Sequence, residues 1–230
     1  MGCASAQQPQ PVGYTANLNA ANTHEAKAMR HDREARIAHG NPPTYSCGDT
    51  VIADQTTTGG ERLDVATPCF DVTEEAAVHQ HILANREYAA AKQDRQIAAN
   101  LVATELHSCH GIPEQEREHS PFAHKRAIAQ ITAHREGNAI RGVRIMFKPI
   151  AGLTAQYLER AIQCQQARYA TLGQPIGYMP EDPTLVPGAH VTVTQYGTNI
   201  EVLVETPDSD AGALALQRAQ DLIAPAAASN

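Results

Sequence analysis

Large apolar side chains are scarce in the first half of this chain, and that scarcity limits what it can fold into. Leu, Ile, Val and Phe together number 42 in 230 residues, and only 17 of them lie in residues 1–120. The overall apolar fraction of 42% is padded by alanine. Residues 121–230 hold the other 25, enough for an ordinary core. The first half must instead be elongated, partly disordered, or braced by something other than burial.

Charge divides along the same line. Residues 1–120 carry nine Lys/Arg against sixteen Asp/Glu, while residues 121–230 balance at zero. An acidic chain without a basic block is a poor partner for nucleic acid, where phosphate contacts dominate affinity. No stretch stays apolar for the length of a bilayer, so no transmembrane segment is expected.

The first half reads as a helical hairpin. Residues 22–40 suit a helix, with Thr23 as cap and Gly40-Asn-Pro-Pro as stop. His24 and His31 lie seven apart on one face, read here as a polar outer face rather than a metal chelate. Residues 41–72 form a long loop, with Val51-Ile52 and Leu63-Asp-Val65 as short strand candidates. Thr73-Glu-Glu-Ala opens a second helix running to 108. Val78, Ile82, Ala89, Ile97 and Leu101 recur on it at helical spacing as a thin apolar stripe, and the helix most simply folds back along the first.

From residue 121 the period changes. A turn at Pro121–Arg126, capped by Ser120, leads to a strand from Ile128 and a second from Val143. Thr154 caps a helix to Leu172. His190–Tyr196 and Ile200–Glu205 form a hairpin, and Asp208-Ser-Asp starts a last helix to Ile223. The expected fold class is therefore α+β: an antiparallel helical hairpin followed by a ββαββα domain with a four-stranded antiparallel sheet. The divisions are a flexible tether at 1–21, the hairpin with a cross-linked loop at 22–110, a junction at 111–126, the ββαββα domain at 127–223 and a tail at 224–230.

The five cysteines are Cys3, Cys47, Cys69, Cys109 and Cys164. With Cys3 set aside, four remain, and an even number fits two disulfides. Cys47 and Cys69 bracket the long loop. Cys109 and Cys164 would then tie the junction to the first helix of the second domain. The alternative is a reducing compartment with all five thiols free. Gly2-Cys3 resembles the end of a bacterial lipobox, which makes Cys3 a candidate lipidation site and lipid anchor, with any signal peptide upstream.

Candidate chemistry gathers at the junction, where His107, Cys109, His110, His119 and His124 fall within eighteen residues. His107 and His110 lie three apart at a helix end, so both can face one ion, with Cys109 or His119 completing a site suited to Zn or Cu. Cys109 beside imidazoles is also a candidate nucleophile, with disulfide formation as the competing reading. No Gly-x-Ser-x-Gly, P-loop or His-Glu-x-x-His motif occurs, so catalysis is not expected. His124 is read as orienting the turn against the sheet.

The stretch Cys109-His-Gly-Ile-Pro, Ser120-Pro-Phe-Ala-His-Lys-Arg, Gly152-Leu-Thr-Ala and Cys164 resembles an uncharacterised family of bacterial envelope lipoproteins. The resemblance covers about residues 100–222. It implies an extracytoplasmic location, periplasmic, outer-membrane-anchored or secreted, and no known activity. The family shows His after its second Cys and a further Cys near Met-Pro180; this chain has Gln165 and Glu181-Asp182 there. Two functions follow as expectations. One is a non-enzymatic envelope binding protein for a transition metal or a protein partner. The other is an interaction module that forms homo-oligomers through its long helices.

Overall fold

The structure, a computed structural model, describes residues 12–47, 69–173 and 181–224. Its elements run α1 (Tyr14–Gly40), β1 (Tyr45–Cys47), β2 (Cys69–Asp71), α2 (Val72–Ser108), β3 (Ile128–Glu136), β4 (Ala139–Phe147), α3 (Ala155–Leu172), β5 (His190–Tyr196), β6 (Asn199–Glu205) and α4 (Ser209–Ile223). The expected α+β architecture is present: α1 and α2 pack together, and a four-stranded antiparallel sheet with helices follows. The chain divides into two compact units, Leu18–Arg95 and a second that joins Met1–Asn17 to Gln96–Asn230. The boundaries fall inside the long helices, so the last turns of α2 belong with the sheet unit rather than with a hairpin ending at 110.

Helix α1 starts at Tyr14, eight residues before the expected Asn22, so residues 14–21 are helix rather than tether. Asn17 explains the extension: it is buried, and its Nδ2 donates to the Gly13 carbonyl at 2.6 Å. Thr23 does not cap the helix. Its hydroxyl donates back to the Asn19 carbonyl at 2.8 Å, four residues earlier. At the start of α2 the cap is Asp71, whose carboxylate accepts both the amide and the hydroxyl of Thr73. Those bonds hold the Asp71 carboxyl below its ordinary range, the Thr73 hydroxyl contributing most.

The seam of the hairpin is made of alanine. Ala21, Ala28 and Ala35 on α1 and Ala77, Ala84 and Ala91 on α2 are all buried and recur every seven residues, the period of a coiled-coil seam. The expected stripe is only partly covered: Val78 and Ile82 are 52% and 46% exposed, whereas Ile97 and Leu101 are half-buried. A methyl group lets two backbones approach closely but removes little area from water, about 0.8 kcal/mol per carbon. Strong intrinsic helix propensity compensates, since alanine is the best helix former.

Polar layers alternate with the alanines. His24 Nδ1 lies 2.5 Å from Glu87 Oε2, with Asp94 on its other ring nitrogen at 3.8 Å. His31 Nδ1 meets Gln80 Oε1 at 2.7 Å. These two pairs fix an antiparallel register that puts Ala28 and Ala84 at the level between them. His24 and His31 therefore line the inner seam, not a polar outer face. At its edge, Tyr88 donates to Asp32 at 3.0 Å and Arg95 pairs with Glu25.

The second unit follows the expected order closely. Its sheet runs β3-β4-β6-β5, so the second strand of each hairpin lies at the centre. In the central pair Val143, Ile145 and Phe147 face Val204, Val202 and Ile200. All six are buried in one core with Leu158 and Ile162 of α3 and Ala215, Ala219 and Leu222 of α4. Both helices thus cover the same face. Thr154 and Asp208 cap them by accepting the amides of Tyr157 and Ala211. Beside the core, Asp182 is buried, and burial pushes its carboxyl up against the opposing pull of Thr184 and Arg218.

Enlarging an alanine tests the seam. Ala84→Leu is expected to destabilise the protein by about 1–3 kcal/mol through overpacking. Exposed Ala89→Leu is expected to fall within about 0.5 kcal/mol of the parent. Urea unfolding followed by circular dichroism distinguishes them, and equal effects would reject an alanine-tight seam.

Candidate functional site

The junction begins where α2 ends. Gly111 takes a φ of +81°, a left-handed conformation that L side chains rarely adopt, and turns the chain away from the helix. The turn delivers Cys109 to α3, where it forms a disulfide with Cys164, Cα to Cα 4.5 Å. This is the pairing expected from the sequence. Both cysteines are buried, and Ile112 packs with them against Tyr157 and Ala161 as a small second apolar cluster.

Residues 113–124 are held by short polar ties. Arg117 Nε donates to the Ile112 carbonyl at 3.0 Å, and Arg168 pairs with Glu118 at 3.1 Å. The Tyr157 hydroxyl donates to Glu116. That bond, with lesser contributions from burial and from the Glu116 charge, pushes the Tyr157 phenol up to about 12. Ser120 Oγ accepts the Phe122 amide at 3.1 Å. Phe122 is fully buried and stacks on Phe147 with ring centroids 6.1 Å apart. Phe122, rather than His124, anchors the turn to the sheet; His124 is exposed.

These ties surround a cavity of about 230 Å³ whose lining includes Ile112, His119, His124, Leu153, Tyr157 and Gln165. Of the proposed metal ligands, only His119 reaches it. Its Nδ1 is 2.6 Å from the Gln115 carbonyl, which accepts from the ring. His107 and His110 are exposed and absent from the lining. Cys109 offers no thiolate for a metal or for nucleophilic attack, because its sulfur is in the disulfide. Among the described residues no three His, Cys, Asp or Glu side chains are already gathered to hold a metal ion.

At the other cysteine pair, Cys47 and Cys69 are register partners of β1 and β2, and Cys69 is disulfide-bonded. The Cys47 side chain, the candidate strands in 48–68 and Cys3 lie outside the described residues. Sequence reasoning missed the Tyr157–Glu116 bond and the row His134, Glu205, His190 on the sheet. The first carries no sequence signal, since it joins residues 41 apart across a loop. The second follows from the register of the two hairpins. No family model matches the chain, and no curated protein or solved structure does so either.

Removing the Cys109–Cys164 bond, which closes 55 residues, is expected to cost up to about 4 kcal/mol in the chain-entropy model. Chemical unfolding of a Cys109→Ala/Cys164→Ala variant measures it; unchanged stability would mean that the bond braces nothing.

The Tyr157 phenol is raised relative to the unfolded chain, so its contribution to stability is present below about pH 10 and lost as pH rises through about 12. Glu116→Gln keeps an acceptor but removes the charge. An alkaline absorbance titration is expected to show a tyrosine step near pH 12 that is lowered in that variant and missing in Tyr157→Phe, alongside the raised but separate Tyr88 step.

Proposed function

We propose that this chain is a non-enzymatic, extracytoplasmic interaction protein that self-associates through the outer surface of its α1–α2 hairpin. One observation carries the reading: alanine closes the seam, so the hairpin's larger apolar side chains are left outside. Met29 and Ile37 on α1 are 53% and 59% exposed, and Val78, Ile82 and Tyr88 on α2 are exposed as well. Val78 and Ile82 stand one turn apart on one face, where neighbouring side chains act together. Exposed apolar surface edged by polar groups is the usual mark of a protein contact.

The extracytoplasmic location is supported by the buried Cys109–Cys164 disulfide, because such bonds persist in oxidising compartments. It agrees with the resemblance to envelope lipoproteins, in which Cys3 would carry the anchor. No helix among the described residues is long and apolar enough to cross a membrane. The Cys109–Cys164 bond removes Cys109 as a candidate nucleophile. Zn or Cu binding through His107, His110 and His119 has less support than the hairpin surface, since two of the three stand apart from the cavity that the third lines.

Sedimentation velocity across a wide concentration range tests the proposal. The parent chain is expected to dimerise as concentration rises, and Val78→Asp/Ile82→Asp to remain monomeric with unchanged helicity. A parent that stays monomeric throughout, or a variant that dimerises equally, overturns it.

A further inference from the structure

The face of the sheet turned away from α3 and α4 carries one row that differs from its neighbours. His134 on β3 is the register partner of Gly142 on β4, Gly142 of Glu205 on β6, and Glu205 of His190 on β5. Their neighbours Val143, Val204 and Val191 point into the core. Side chains alternate along a strand, so His134, Glu205 and His190 share the open face.

Gly142 makes the row continuous. Its φ is +149°, and a Cβ built there would lie 1.8 Å from the Val204 carbonyl oxygen, so only glycine fits. With no side chain between them, His134 and Glu205 meet across β4, Nε2 to Oε1 at 3.5 Å. That is too long for a good hydrogen bond, which wants about 2.7–3.2 Å. It is close to the separation, about 3.3 Å, of two donors held on one tetrahedral ion by bonds of about 2.0–2.1 Å. His190 lies directly opposite Glu205, where Cβ atoms of paired residues stand about 4.5–5.5 Å apart. It is exposed and, among the described residues, has no side-chain partner. Of the arginines beside the row, Arg135 donates to the Asn138 carbonyl, Arg141 is held by Glu136 and the Pro207 carbonyl, and Arg144 stands exposed two residues along β4 from Gly142.

We propose that His134, His190 and Glu205 bind a transition-metal dication of the zinc class on the open face of the sheet. The ion enters between His134 and Glu205, and the exposed His190 ring turns in as third ligand. Two imidazoles and one carboxylate are a donor set that suits zinc and leave a fourth position to solvent. Because His190 must turn in, the site closes only when the ion arrives. The sheet supplies the fixed part: register sets which three side chains share the row, and Gly142 keeps the second place clear.

Calorimetry with Zn²⁺ on the oxidised full chain tests this, with Mg²⁺ as a control ion and the His107→Ala/His110→Ala/His119→Ala variant as a control for the junction. One Zn²⁺ per chain is expected, weakened at least about tenfold in His190→Ala and in Glu205→Gln and unchanged in the junction variant. Both substitutions sit on exposed side chains, and unchanged thermal melts without zinc will show that the fold is intact. Zinc is also expected to shift the ring nitrogens of His134 and His190 in ¹H–¹⁵N spectra. Absent binding in the parent chain, or binding that survives His190→Ala, overturns the proposal.

Discussion

The hairpin depends on a close approach of two backbones that only alanine permits. Ala21, Ala28 and Ala35 face a matching series on α2, and each is nearly without solvent contact. A seam this narrow has little hydrophobic driving force of its own. What it lacks in burial it recovers from helix propensity and from the polar layers. The His24–Glu87 and His31–Gln80 layers also select one register, because sliding the helices by a turn would leave half-buried imidazoles and amides unmatched. Polar groups within a helical seam commonly trade stability for such specificity.

The two units therefore solve the same problem in different ways. The sheet unit has Val, Ile, Phe and Leu enough to bury a core between one sheet face and two helices. Its pseudo-symmetric order, hairpin then helix twice, places the most apolar strands β4 and β6 at the centre and the more polar β3 and β5 at the edges. Edge strands carrying His, Arg, Gln and Glu resist further pairing. The junction joins neither solution cleanly. It holds one small apolar cluster, one disulfide and a set of side-chain ties that close around a modest cavity.

The fold was largely legible because its signals were local. Thr154 and Asp208 announce their helices by chemistry that acts within three residues, and the two hairpins alternate as strands do. The hairpin was legible as two helices but not as a packing. Periodicity counted on large side chains selected Val78 and Ile82, because a scale that weights alanine weakly cannot see a seam of methyl groups. The same bias sent His24 and His31 to the outer face. The Cys109–Cys164 pair was found by elimination and loop position, whereas the dispersal of the junction histidines was not. Proximity in sequence gathered His107, His110 and His119 on paper; in the structure only His119 lines the junction cavity, its ring tied to the Gln115 carbonyl.

That contrast states where ligands should be sought in a chain like this. Histidines close in sequence on a helix end and its following loop are positioned by a turn whose course the residue spacing does not reveal. Histidines far apart in sequence, on strands whose register is set by a buried face, are positioned by the sheet itself. His134 and His190 are 56 residues apart, yet both are placed by pairing that Val143, Val191 and Val204 enforce from the other side. A one-residue slip would bury those imidazoles and expose the valines, so the core that stabilises the unit also fixes the row on its surface. The register of the sheet thus fixes the row on one unit, while the alanine seam of the other leaves Met29, Ile37, Val78 and Ile82 on its surface.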